Sequence, residues 1–214
     1  MSDHILPRLA QFVFEGIVMR PHRYADYMFE NPPLLQIAAD RMAAPLFAPG
    51  RFARLMDIAE LSEGERVLDF GCGGGLGARV IAKAIGPHGR LSCVDVSGVW
   101  MGLCRRRLRR FANVEFYLGD LRKLPVPDAE YDLVLVHRVL RFIQTGNRQS
   151  VVDCLAQKLS LRGRMLICEK TEPRIGFEAH RIRKLAENAG LVETRSTLEG
   201  ARFTALFEKP PEGF

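Results

Sequence analysis

Three carboxylates frame a glycine-rich turn in this chain. Asp69 stands just before Gly71-Cys72-Gly73-Gly74-Gly75, Asp95 closes the next apolar run, and Asp120 follows the one after. Glycines there let a ligand approach the backbone and permit positive φ. Free N–H groups at the start of the following helix favour an anionic group. Gly73-x-Gly75-x-x-Ala78 also matches the dinucleotide fingerprint, so the turn alone does not choose among nucleotides. The acids narrow the choice. A carboxylate at Asp69 repels a diphosphate and suits an ammonium group. Asp95, 20 residues after Gly75, is placed to accept both hydroxyls of a ribose. Asp120 suits the exocyclic amino group of adenine, with Leu121 offering a backbone N–H and an apolar wall. Either of the later acids alone reads as a cap or turn residue. Three in register with the glycines point to one ligand bearing an ammonium, a ribose and an adenine.

Other residues with chemical potential are more scattered. His137 sits just past an apolar run, where an imidazole can deprotonate a phenol or enol near neutral pH; the plainer reading is packing or a hydrogen bond to a loop. Glu169 and Lys170 follow a later run and could touch a substrate or each other. Tyr24 and Tyr27 could line a pocket or pack between helices, and His180 reads as a capping or surface residue. Five cysteines occur, at 72, 93, 104, 154 and 168. None forms a Cys-x-x-Cys pair, so no metal site is expected. The odd number, with Cys93 and Cys168 in apolar runs, fits a reduced cytoplasmic compartment. Cys168 lies at the end of an apolar strand, without a Pro-Cys or Thr-Cys context, and reads as core.

The elements that must position these groups follow a simple order. Residues 1 to about 60 look helical and read as an extension or lid rather than an independent domain; 61–214 form the ligand-binding domain. From Glu65 onward short apolar runs alternate with helix-like segments, the pattern of βαβ units around a parallel sheet. Strands are expected at 66–70, 90–95, 114–118, 131–136 and 163–168, and helices at 77–85, 98–111, 147–160 and 178–189. Gly190 suits the left-handed position after the last helix. Two further strands, near 191–197 and 202–208, are separated only by a turn around Glu199-Gly200. Parallel neighbours need a longer crossover, so the sheet should end in an antiparallel hairpin.

Composition limits the partners. The chain has 214 residues, 47% of them hydrophobic, which suffices for one soluble domain with a real core. No apolar run is long enough to span a membrane, and no secretory signal is evident. The net charge of +6 permits a nucleic-acid or anionic membrane partner without requiring one. Arginines 105, 106, 107, 109 and 110 mostly lie opposite the apolar face formed by Trp100, Cys104, Leu108 and Phe111. With no interleaved aromatics to stack bases, Arg105–Arg110 read as a solvated face rather than an RNA or lipid patch. Residues 4–19 carry an apolar stripe that suits a lid, a peripheral membrane contact, a partner or a second copy of the chain.

The segments VLDFGCGGG (67–75), VDVS (94–97), GDLRKLPVPDAEYDLVLVHRVLRFI (119–143) and LSLRGRMLICEK (159–170), taken in order, resemble the class I S-adenosylmethionine-dependent methyltransferases, in particular the small-molecule branch that includes the quinone-ring methyltransferases. With the closing hairpin the resemblance covers about residues 36–209. It implies an α/β, Rossmann-like, doubly wound seven-stranded sheet with an antiparallel last strand, preceded by the N-terminal helical extension. It implies S-adenosyl-L-methionine as cofactor and S-adenosyl-L-homocysteine as product. The expected cofactor contacts are Asp69, Gly71, Cys72, Gly73, Gly75, Asp95, Val96, Asp120, Leu121 and His137. His137 is also the candidate base, with Tyr24, Tyr27 and Glu169 as substrate-side candidates. A small hydrophobic or aromatic acceptor (a quinone, phenol or lipid-like metabolite) is expected. The alternatives are an RNA methyltransferase and a non-catalytic cofactor-binding or assembly protein.

Overall fold

The structure is a computed structural model and describes residues 32–42, 44–171 and 177–211. Tyr24, Tyr27 and the 4–19 stripe lie outside the described residues. Two helices come first, α1 (Leu34–Met42) and α2 (Ala44–Ile58). Then follow β1 (Arg66–Phe70), α3 (Leu76–Ala84), β2 (Arg90–Asp95), α4 (Gly98–Leu108), β3 (Val114–Leu118), β4 (Tyr131–His137), α5 (Arg148–Lys158), β5 (Leu159–Lys170), α6 (Ala179–Asn188), β6 (Val192–Glu199) and β7 (Arg202–Glu208).

The seven strands form one sheet in the order β3-β2-β1-β4-β5-β7-β6. β1 through β5 pair in parallel, and β7 runs antiparallel between β5 and β6. The expected hairpin is therefore present, with its second strand inserted inward. Chain order reverses between β1 and β4, and such a switch point opens a crevice beyond the carboxyl ends of the strands. Gly71, Asp95 and Gly119 all leave their strands there.

Period-2 alternation splits the sheet into two apolar faces. Val67, Leu91, Cys93, Leu133, Leu135, Leu166 and Cys168 pack against Phe52, Leu55 and Met56 of α2, Ile81 of α3, and Met101, Cys104 and Leu108 of α4. Leu68, Val94, Val134, Val136, Met165 and Ile167 face Val151, Val152 and Leu155 of α5 and Ile182 and Ala186 of α6. Asp69 shares the α2–α4 side with Val67, two residues before it.

The expected element boundaries need small corrections. β5 begins at Leu159, earlier than 163, and α5 stops at Lys158. Leu159 already pairs with Tyr131, and the irregularity between Tyr131 and Leu133 absorbs the extra length. Helix α4 ends at Leu108 rather than 111. After α6, Gly190 adopts φ 77°, its N–H donating to the Glu187 carbonyl and that of Leu191 to the Ala186 carbonyl. That pair of bonds closes the helix as a Schellman motif. Among the described residues no helix is long and apolar enough to cross a membrane.

Candidate active site

The glycine turn is held from three directions. Gly71, Gly73 and Gly75 have φ of 73°, 53° and 78°. At Gly75 a Cβ would sit 2.7 Å from the Cys104 sulfur, so a side chain is excluded by space as well as by φ. The N–H groups of Gly71 and Cys72 donate to the Val94 carbonyl, tying the turn to β2. Gly73 N–H donates to Asp95 Oδ2 at 2.8 Å, and Ser97 N–H donates to Asp95 Oδ1 at 2.8 Å. On the outer side Arg107 of α4 donates to the Gly74 carbonyl and pairs with Asp40 of α1 at 2.9 Å. Burial raises the Asp40 carboxyl, and Arg107 opposes that shift.

A cleft of about 350 Å³ opens beside this turn. Its walls include Phe70, Gly71, Asp95, Val96, Gly119 and Arg122, and the loop after β4 closes it with Val139, Phe142 and Ile143. Val96 is 39% exposed into it, an apolar surface standing next to a buried carboxylate. Burial raises the pKa of Asp95, against the N–H bonds of Ser97 and Gly73. Asp69 is buried; burial first, then Cys104 and Asp95, push it up to about 8.

Asp120 is differently placed from its expected role. Its carboxylate is gripped by Arg122, with Nη2 at 2.6 Å, and caps the short turn 121–123 through Arg122 N–H. A guanidinium two residues on satisfies the acid locally, and Arg122 rather than Asp120 lines the cleft. Leu121 is buried in the core.

The loop between β4 and α5 is clamped by opposite charges. Glu169 Oε1 accepts Leu140 N–H at 2.8 Å. Arg148 Nε donates to the carbonyls of Leu140 at 3.0 Å and Ile143 at 2.9 Å, while its guanidinium lies over Phe177. Burial raises Glu169 to about 6, against the pull of Arg141, Leu140 N–H and Arg138. The ordinary value is 4.5, so the folded state holds more protons than the unfolded one between about pH 4.5 and 6. Stability from this group is therefore fully present below pH 4.5 and falls as pH rises through 6, by about 2 kcal/mol in all. Glu169→Gln should flatten that segment of the stability profile, measured by urea unfolding from pH 4 to 7. An unchanged slope would show that Glu169 does not titrate there.

His137 does not line the cleft. Its ring meets Phe52 of α2 edge-on, with centroids 5.0 Å apart. It lines a second hollow of about 340 Å³ with Arg138, Cys168, Glu169, Lys170 and Arg202. Glu169 Oε2 is buried there with no hydrogen-bond partner among the described residues. Arg138, the residue after β4, has φ 60°, a left-handed conformation uncommon outside glycine. The plain packing reading of His137 and the substrate-side reading of Glu169 both have a geometric basis.

Sequence spacing overlooked two arrangements. Arg105, Arg106, Arg109 and Arg110 are exposed, as a solvated face requires, but Arg107 turns inward to support the glycine turn, and Arg105 lies over Phe116 at 5.1 Å. Only a partner as remote as Asp40 reveals the first. The second is the meeting of Cys72, Cys93 and Cys104, all three buried, with every sulfur within 4.8 Å of the others. Hydrogen bonds with Cys104 raise Cys72 and Cys93. Bonds from those two thiols, then Arg107 and Arg105, lower Cys104.

Residues 67–163 match the family model described as "Methyltransferase domain". A ubiquinone/menaquinone biosynthesis C-methyltransferase of Pseudomonas fluorescens is 30% identical over 121 residues, 55% of this chain and 46% of that protein. A protein-L-isoaspartate O-methyltransferase of Ignicoccus hospitalis is 29% identical over 155 residues, 72% of this chain and 68% of that protein. This chain thus spans about half the length of the quinone-biosynthesis relative. Among solved structures, the N-methyltransferase NodS of Bradyrhizobium japonicum, crystallised with S-adenosyl-L-homocysteine, superposes with TM-score 0.69 at 17% identity, covering 88% of this chain and 100% of that one. The sheet order, the glycine turn at its switch point and the methyltransferase-domain match over residues 67–163 all resemble the class I S-adenosylmethionine-dependent methyltransferases.

Proposed function

We propose that the protein binds S-adenosylmethionine in the cleft beside the glycine turn and transfers its methyl group to a small-molecule acceptor in the hollow lined by His137. The observation that carries this reading is the juxtaposition of Asp95, Gly71 and exposed Val96 around one crevice. Asp95 suits the ribose hydroxyls, and Val96 and Phe142 suit the adenine faces. The residues lining the cleft therefore fit the adenosine part of the cofactor. When bound, S-adenosylmethionine supplies a methyl group already activated by its sulfonium. The protein's own part is orientation: the fixed turn and the clamped 138–147 loop hold the two reactants in line, which supplies much of the acceleration.

The acceptor side supports a phenol, quinol or enol. His137 stands at the carboxyl edge of β4, and against the acids Glu169 and Glu199 the hollow carries three cations, Arg138, Lys170 and Arg202. An acceptor losing a hydroxyl proton to the imidazole would gain negative charge that these groups stabilise. A relative named for quinone biosynthesis is consistent with such a ring acceptor. An RNA acceptor is less well served, since Arg105 and Arg107 are occupied within the fold.

Calorimetry with S-adenosylmethionine, followed by transfer of labelled methyl to phenolic and quinol extracts and to total RNA, tests the reading. Binding with label in the small-molecule fraction is expected. Label confined to RNA overturns the acceptor class, and binding without any product leaves a regulatory protein. His137→Ala should leave cofactor affinity within about threefold of wild type and cut turnover roughly a hundredfold or more. Loss of the acidic limb of the pH–rate profile should accompany that fall. A fall without the pH change would assign His137 to packing against Phe52.

A further inference from the structure

We infer that Cys72, Cys93 and Cys104 form a three-thiolate binding site for a soft, thiophilic metalloid ion of the arsenic(III) class. The three residues come from separate parts of the fold: the glycine turn, strand β2 and helix α4. Their sulfurs all lie within 4.8 Å of one another, and all three side chains are buried. Metal–thiolate bonds of about 2.3 Å place three ligating sulfurs roughly 4 Å apart, so closing this cluster on one ion needs only small side-chain adjustments. Gly75 is part of the arrangement, because any Cβ there would occupy the space of the Cys104 sulfur. Cys154 and Cys168 take no part in the cluster.

The donor set selects the ion. Thiolate ligands favour soft ions over hard ones. Structural zinc takes four ligands, and among the described residues no further His, Cys, Asp or Glu joins the three sulfurs. Charge narrows the choice further. Asp69 and Asp95 are buried beside the cluster, at 4% and 2% exposure. Extra negative charge there would be costly to desolvate. Cuprous or zinc ions on three thiolates leave a net negative centre. Arsenous acid does not: As(OH)3 exchanges its three hydroxyls for three thiolates, each thiol proton leaves with a hydroxyl as water, and arsenic stays in the +3 state. The product is uncharged and fits the apolar α2–α4 face. Entry is through Cys72, which at 8% exposure is the outermost of the three and sits in the turn beside the cleft.

Reduced full-length protein titrated with sodium arsenite provides the test, and it does not depend on methyl transfer. One equivalent should bind, adding one arsenic and removing three hydrogens in the native mass spectrum. Fluorescence of Trp100, one helical turn before Cys104 on α4, should change in step. Arsenic X-ray absorption should count three sulfur neighbours. Cys72→Ser, Cys93→Ser and Cys104→Ser should each weaken binding at least tenfold, while Cys154→Ser and Cys168→Ser leave it unchanged. No uptake, two sulfur neighbours, or binding indifferent to any one of the three cysteines would overturn the assignment. The sulfur count is read on the wild-type protein, so it decides the matter even where a serine variant fails to fold.

Discussion

Asp95→Ala is expected to weaken S-adenosylmethionine binding at least a hundredfold. The carboxylate is nearly inaccessible, yet it lies at the wall of the cleft. Each of its oxygens takes one backbone N–H, Oδ2 from Gly73 and Oδ1 from Ser97. A carboxylate oxygen accepts more than one hydrogen bond, so both retain capacity for a ribose hydroxyl. Hydrogen bonds to a charged group contribute about 1.5–3 kcal/mol each. Losing two would cost about 3 kcal/mol or more of affinity, which is the hundredfold. The same change orphans the buried Ser97 N–H and the partly buried Gly73 N–H, so the free protein should also lose about 1–3 kcal/mol of stability. Asp95→Asn separates the two effects, because one amide oxygen still accepts a turn N–H while the second acceptor is gone; its affinity should fall between wild type and alanine. Calorimetry at a temperature where all three proteins are folded measures the series. A dissociation constant for Asp95→Ala within threefold of wild type would remove the residue from the cofactor site.

Asp95 was legible in the sequence because its placement is local. A strand, a turn and the strand after it fix the crevice, and the acid's distance from the glycines gives its position on the sheet edge. The same holds for the closing hairpin, where a connection of two residues leaves only an antiparallel geometry. What stayed hidden depends on long crossovers. The Arg107–Asp40 pair joins residues far apart in the chain, and the cysteine cluster requires the register of β2 against the turn and the phase of α4 above both. His137 illustrates the limit of strand-end reasoning. His137 stands at the end of β4, but which hollow it lines depends on the packing around it: its ring meets Phe52 of α2 edge-on, and it lines the hollow with Glu169 rather than the cleft beside the glycine turn. Asp120 shows the opposite case, a purely local partner: Arg122, only two residues away, holds its carboxylate.

Gly71→Ala should be the most damaging single-methyl change in the described protein. Gly71 leaves β1 with φ 73°, and its N–H donates to the Val94 carbonyl, so the backbone cannot rotate away without losing that bond. A Cβ built there lies 2.3 Å from Val139 Cγ2 and 3.0 Å from Cγ1. Val139 is 4% exposed, and its loop is clamped by Glu169 and Arg148, so it cannot retreat freely. The left-handed conformation costs about 1–2 kcal/mol for a residue with a Cβ, and overpacking adds about 1–3 kcal/mol. Together these give roughly 2–5 kcal/mol, a large share of the stability of an ordinary domain. For a chain of this length that corresponds to a fall in Tm of roughly 5–15 °C. Val139→Ala removes the two methyls that clash. In the double variant Gly71→Ala/Val139→Ala the steric part should be recovered and the conformational part should remain, so the two changes should couple by about 1–3 kcal/mol. Additive effects in urea unfolding would mean that the clash is relieved elsewhere and that only φ limits the site to glycine. Both residues line the cleft, so a Gly71→Ala protein still folded at low temperature should also bind S-adenosylmethionine more weakly, and restoring space at Val139 should recover part of that affinity. Recovery of stability without recovery of affinity would place the cofactor's contact on the Gly71 backbone itself rather than on the loop that closes over it.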